Sequence, residues 1–143
     1  MATYKSDKSG QVSITSVKSR YSDLNLQMIP HPLKKDIIPL KDDAAVKNAV
    51  RNLLLTNFFE RPFNPTMGAN LRGLLFEPND AITRLAIEDG IRNVLEQYEP
   101  RIENINIIVK TTPNENEYRI VLVFSIKEND SVQDLEINLR RLR

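Results

Sequence analysis

The chain has no cysteine and no tryptophan in its 143 residues, and only one histidine and four glycines. Without cysteine there is no disulfide and no cysteine-ligated zinc or iron–sulfur site. That absence suits a reducing compartment. The single histidine, His31, stands between Pro30 and Pro32 and reads as an exposed loop residue. One histidine builds no metal cluster, and a Ser/His/Asp triad would rest on it alone. Neither G-x-x-x-x-G-K-[ST] nor G-x-G-x-x-G occurs, so there is no nucleotide fingerprint. No charge sign dominates: 20 Lys and Arg face 19 Asp and Glu, a formal net charge of +1. Such a balance gives no global drive toward nucleic acid. The longest wholly apolar run, Ile120 to Phe124, falls far short of the ~20 residues of a membrane span. The opening MATYKSDKSG lacks the apolar segment of a secretory signal. No catalytic residue, cofactor or metal is expected.

What is present is enough for one domain, which at this length buries roughly 68–70% of its unfolded surface. Residues 1–20 read as a flexible, basic, serine-rich arm, with Lys5, Lys8, Lys18 and Arg20 against Asp7. Val12, Ile14 and Val17 alternate weakly there, a pattern open to strand addition on a partner. Residues 21–143 read as a single α+β domain. Leu24, Leu26 and Met28 alternate as a short strand or extended segment, and Pro30, Pro32 and Pro39 prevent a helix. A first helix is predicted from a cap at Asp42 or Asp43, with Val46, Ala49, Val50, Leu53 and Leu54 on one stripe, fading near Asn57.

The most distinctive stretch follows, NLLLTNFFERPFNPTMGANLRGLLFEPND from Asn52 to Asp80. Three prolines and two glycines make it a rigid, shaped connector between two helices. Gly68 is expected in a conformation closed to residues with a Cβ. Arg61 and Arg72 are expected to pair with Glu60 and Glu77, and Leu71, Leu74, Leu75 and Phe76 to form one apolar turn. A second helix is predicted from Asn79 or Asp80 to Tyr98, with Ile82, Ala86, Ile87, Ile91, Val94, Leu95 and Tyr98 facing the core. Gly90 in its middle costs roughly 1 kcal/mol relative to alanine, which suggests another backbone packed close to it. Glu99-Pro100-Arg101 ends the helix.

Three alternating segments complete the chain: Ile105, Ile107 and Val109; Tyr118, Ile120, Leu122, Phe124 and Ile126; Leu135, Ile137 and Leu139. Turns are expected at Thr112 to Asn116 and Glu128 to Ser131, giving an antiparallel meander. The predicted fold is α+β: the meander packed against two main α-helices, with an extended N-terminal arm. The last strand is expected at an edge charged by Arg140, Arg141 and Arg143.

The connector and second helix resemble the small baseplate wedge proteins of contractile-tailed phages, a phage T4-type family often labelled lysozyme-like that includes the wedge subunit of type VI secretion. The likeness rests on Arg61-Pro62, Gly68, Leu71, the run Leu75-Phe76-Glu77-Pro78 and Glu99-Pro100-Arg101, in the right order and spacing, and spans about Tyr21 to Leu139. It implies a structural subunit of the virion tail baseplate, assembled in the host cytoplasm and docked on larger wedge proteins. It further implies pairing of strand edges with the tail sheath protein to start the sheath, with the tail tube as a further neighbour. Glu99, Pro100 and Arg101 match the family's signature triplet and take an assembly role. Arg61, Gly68 and Glu77 complete the candidate partner-binding set.

The lysozyme label raises a second reading, a tail-associated muramidase. Glycoside hydrolysis uses two carboxyl groups, one with a raised pKa. The candidates Glu60, Glu77 and Glu99 all lie near arginines in sequence, which lowers a carboxyl pKa. Aromatic residues make up 6% of the chain, few for a sugar cleft. A third reading, a nucleic-acid accessory using the basic arm, has no aromatic–basic interleaving beyond Tyr4.

Overall fold

The computed structural model describes residues 3–6, 12–15, 19–112, 115–127 and 130–140, with backbone alone for 3–6, 12–15, 112 and 115–116. The turn residues Pro113, Asn114, Glu128 and Asn129, the charged end Arg141 and Arg143, and Val17 lie outside the described residues. The chain divides into two compact units, Met1–Ala45 and Val46–Arg143. The boundary falls inside the first helix.

In the first unit β1 (Thr3–Ser6) and β2 (Val12–Thr15) form an antiparallel pair. A second pair joins β3 (Ser22–Asp23) to β4 (Leu40–Lys41). Leu24, Leu26 and Met28 do not continue β3. All three are exposed, and Met28 takes φ 52° where its N–H donates to the Asn25 carbonyl. Their alternation therefore reflects a turn and no buried face. His31 does more than sit in a loop: its Nδ1 accepts from the N–H groups of Leu33 (3.1 Å) and Lys34 (3.2 Å), fixing a turn. α1 runs Asp42–Leu55. Asp42 starts it at φ 48°, and its carboxylate accepts from the N–H groups of Arg20 (2.8 Å) and Tyr21 (3.3 Å), so it ties β3's approach to the helix start.

In the second unit the stripe of α1 is buried as its spacing dictates: Val46, Val50, Leu53 and Leu54 are inside. A single turn, α2 (Leu71–Leu74), buries Leu71, and Leu75 follows it inward. Phe76 does not join that turn's apolar side and is exposed. α3 (Ala81–Tyr98) is capped by Asp80, whose carboxylate accepts from Thr83 N–H at 2.8 Å. That bond holds the Asp80 carboxyl below the usual aspartate range. The buried row of α3 is Thr83, Ile87, Ile91 and Leu95. Ile82 is 75% exposed and Ala86 is exposed, against expectation. Ile82 lies about 140° around the helix from Ile87, so both cannot face one core. A Cβ on Gly90 would meet nothing within 4 Å, so no neighbouring backbone among the described residues explains this glycine.

The sheet is the expected antiparallel meander, β5 (Ile102–Thr112), β6 (Glu115–Ile126) and β7 (Ser131–Arg140), in that spatial order. Tyr118, Ile120, Leu122, Phe124 and Ile126 of β6 are all buried, as are Leu135, Ile137 and Leu139 of β7. α3 packs against β5. Lys47 on α1 reaches Asp134 on β7 at 3.8 Å. β5 carries one extra residue between the pairs Glu103–Ser125 and Asn106–Val123. Asn104 takes φ 52° in this bulge and donates to Ser125 Oγ at 2.9 Å. β7 pairs with β6 without interruption from Ser131 to Arg140.

Candidate assembly surface

α3 ends because Pro100 follows Glu99, pushing Glu99 out of helical geometry to φ −127° and ψ 73°. The corner is then locked twice. Arg101 donates from Nε to Glu99 Oε1 at 2.5 Å and from Nη2 to Oε2 at 2.6 Å, a two-pronged fork. The Arg101 carbonyl accepts from Lys127 N–H at 3.0 Å, binding the corner to the end of β6. Glu99 is only 5% exposed, whereas Pro100 is exposed and Arg101 half-buried. The sequence placed these three residues together, and the fork shows their chemistry: a buried carboxylate neutralised by its own chain. A cleft of about 280 Å³ opens beside the corner, lined by Arg92, Glu96, Glu99, Pro100, Glu103, Asn104 and Lys127 among others.

The connector is built by backbone geometry. Gly68 takes φ 126°, as its place in the sequence predicts, and a Cβ there would collide with the Thr56 carbonyl oxygen. The expected ion pairs are absent: among the described residues none joins Arg61 or Arg72 to Glu60 or Glu77. Glu60 instead accepts from the Asn57 N–H (2.9 Å) and Asn57 Nδ2 (2.7 Å). These bonds, backbone first, hold its carboxyl below the usual glutamate range, and Arg72 adds a smaller charge effect. Phe59 N–H donates to the Pro65 carbonyl at 2.8 Å and closes the loop. Thr66 Oγ1 lies 3.4 Å from the Tyr98 hydroxyl, linking the connector to the end of α3 just before the fork. Arg61 and Glu77 are exposed and Gly68 is buried, so the six candidate residues form two places, a corner and a connector, rather than one pocket. Sequence reading missed Asn57, whose placement three residues before a glutamate was the available signal. It also missed the exposure of Phe59 and Phe63.

Glu60 is held toward its ionised form, Glu99 is clamped by Arg101, and Arg92 and Lys127 line the cleft beside the carboxylates. Among the described residues, no group of His, Asp and Glu is placed to hold a metal ion. No helix of the described residues is long and apolar enough to cross a membrane.

Comparison with known proteins agrees with this architecture. The chain is 26% identical over 129 residues to the baseplate wedge protein gp25 of Enterobacteria phage T4, covering 88% of this chain and 96% of that one. A Geobacter sulfurreducens chain described as a tail lysozyme has the same fold at TM-score 0.60 and 21% identity, covering 68% of this chain and 89% of that one. A chain of the anti-feeding prophage baseplate aligns at TM-score 0.59 and 15% identity, covering 82% and 83% respectively. Residues 41–131, from the end of β4 to the start of β7, match the family described as Baseplate wedge protein gp25. With the connector, α3 and its forked corner, and most of the meander inside that match, the chain belongs to the gp25 baseplate wedge protein family.

Proposed function

We propose that this chain is a non-enzymatic structural subunit of a contractile-tail baseplate wedge that docks on larger wedge proteins and starts the sheath by pairing β7 with a strand of the sheath protein. The observation that carries this reading is the contrast between the two sheet edges. β5 is interrupted by its bulge, and its Ile105 carbonyl already accepts from Arg92 Nη1 at 3.3 Å. β7 is regular over ten residues and, among the described residues, has no neighbour beyond β6 in the sheet. The outward main-chain groups of a straight edge strand fix the register and direction of an added strand with little dependence on side chains. Glu99, Pro100 and Arg101 hold the corner that sets the sheet against α3, and Arg61, Gly68 and Glu77 shape the docking connector. The particle is the virion tail baseplate, assembled in the host cytoplasm, with the tail tube as a further neighbour.

A photocrosslinker placed singly along Ser131 to Arg140 tests this in assembling tails. The sheath protein is captured from β7 and not from Asn106 or Ile108 on β5. Complete, contractile tails with no sheath protein crosslinked from any β7 position would refute strand pairing. A muramidase would instead clear peptidoglycan in a way that Glu77→Gln or Glu99→Gln abolishes in folded protein.

A further inference from the structure

His31 organises the loop around it single-handedly. Its N–H donates to the Asp36 carbonyl at 2.8 Å, and its own carbonyl accepts from Lys35 N–H at 2.9 Å. The ring adds two more bonds, Nδ1 accepting from Leu33 N–H at 3.1 Å and from Lys34 N–H at 3.2 Å. Pro30 bridges to Ile37 across the base of the loop. Lys35 takes φ 52°, a costly backbone region that these bonds offset. The two ring bonds depend on a lone pair. Nδ1 has one only while the imidazole is neutral with its proton on Nε2. An imidazolium carries N–H on both nitrogens and accepts from no donor. Imidazole is also the side chain that ordinarily changes charge between about pH 5 and pH 8.

We propose that residues 30–37 form a proton-operated clasp: neutral His31 holds the turn at Leu33 and Lys34 shut, and protonation of its ring opens it. The sign follows from the bonds. The turn is held above the imidazole midpoint and released as pH falls through it. Protonation does more than remove an acceptor, because it sets a third N–H against the two that Nδ1 received. The charged side chains around the ring belong to the loop itself. Lys34 and Asp36 share with His31 a cleft of about 160 Å³, whose other walls are Ile37, Ile38 and Pro39. Asp36 Oδ1 accepts from Ile37 N–H at 2.8 Å, and Lys34 and Lys35 set two positive charges against the one the ring would gain. Carboxyl and amine side chains ordinarily titrate below about pH 5 and above about pH 9, so a step between those limits is assigned to His31. The clasp governs how the loop presents Leu33, which is 88% exposed. None of the buried core residues lies in 30–37, so opening is local.

The test is nuclear magnetic resonance on the full, isotopically labelled chain between about pH 8 and pH 5.5. His31 is the only histidine, so the ring's own proton signals report its charge without ambiguity. The Leu33 and Lys34 amide signals move with the midpoint of the ring. Their protection against hydrogen exchange, corrected for the intrinsic effect of pH, falls by about 10-fold on protonation. His31→Asn places an amide oxygen where Nδ1 stood and has no proton to gain, so both amides keep their bonded positions across the range. His31→Phe removes the acceptor and gives the open loop at every pH. Unchanged amide signals from β5, β6 and β7 show that both variants are folded. Leu33 and Lys34 amides that stay fixed while the ring titrates overturn the clasp. So does a response of equal size in His31→Asn, which assigns the step to Asp36 or the lysines. The clasp does not presuppose wedge docking, and neither result bears on that reading.

Discussion

Replacing Arg101 by alanine removes one half of the Glu99–Arg101 fork and leaves the other half buried. The Glu99 side chain is 6% exposed, so water cannot replace the two donors it loses. Breaking a buried pair from one side costs about 3–5 kcal/mol. Arg101 itself is 32% exposed, which admits some water to the gap and brings the expected cost to roughly 2–4 kcal/mol. At about 2.1 cal/mol/K per residue, the unfolding entropy of this chain is roughly 0.3 kcal/mol/K, so a 3 kcal/mol loss lowers the melting temperature by about 10 °C. Arg101→Lys keeps the charge without the fork and falls between. Differential scanning calorimetry on wild type, Glu99→Gln, Arg101→Ala and the double variant measures the coupling directly. The double variant should lose at least ~1 kcal/mol less than the sum of the singles. A melting temperature for Arg101→Ala within about 2 °C of wild type would refute the claim that the fork holds the corner. Assembly assays on these variants belong below the lowest melting temperature of the set, so that failure to enter a wedge is separated from failure to fold.

Gly90→Ala should stabilise the chain by about 0.8–1.0 kcal/mol, read as a rise of roughly 3 °C in melting temperature, because the added methyl meets open space. Gly68→Ala should destabilise by at least ~2 kcal/mol in urea unfolding, since φ 126° and the Thr56 carbonyl both oppose a Cβ. Ile87→Ala should cost about 3 kcal/mol while Ile82→Ser stays within ~0.5 kcal/mol of wild type, because only Ile87 lies in the core. The depressed Asp80 pKa implies stability that is present above the ordinary aspartate value and lost as pH falls through the lower folded value. Asp80→Asn should therefore flatten the fall in melting temperature between about pH 5 and pH 2.

The sheet and the stripe of α1 were legible because a single period governs each. On β6 the alternating residues from Tyr118 to Ile126 are all buried, with Ser125 of the other face also buried where it meets the β5 bulge, and on α1 the apolar positions leave only one face to bury. Gly68 was legible because a glycine in a proline-framed loop has few other uses. The geometry of the fork was not, since spacing puts Arg101 two residues from Glu99 without saying that both oxygens are engaged or that the carboxylate is buried. The loop ion pairs failed for a related reason. Asn57 lay three residues from Glu60 with a backbone N–H and a side-chain amide both free to donate, and two short bonds to neutral donors outcompete a flexible arginine in water.

The remaining errors share one physical origin. α3 carries apolar residues on two sides: Ile87, Ile91 and Leu95 serve the core, while Ile82, Leu85 and Ala86 face outward. A periodicity test sums the two stripes, so it pulled Ile82 and Ala86 inward and left Thr83 out. Phe59 and Phe63 were absorbed the same way into a loop defined by its prolines. For a free-standing domain, that much exposed apolar surface is a solubility cost with no return. On the wedge reading proposed above it has a role, with part of the hydrophobic pattern addressed to neighbours. The outward face of α3 and the aromatic tip are then where substitutions should leave melting temperature untouched and change assembly, whereas the inward row and the fork should change both.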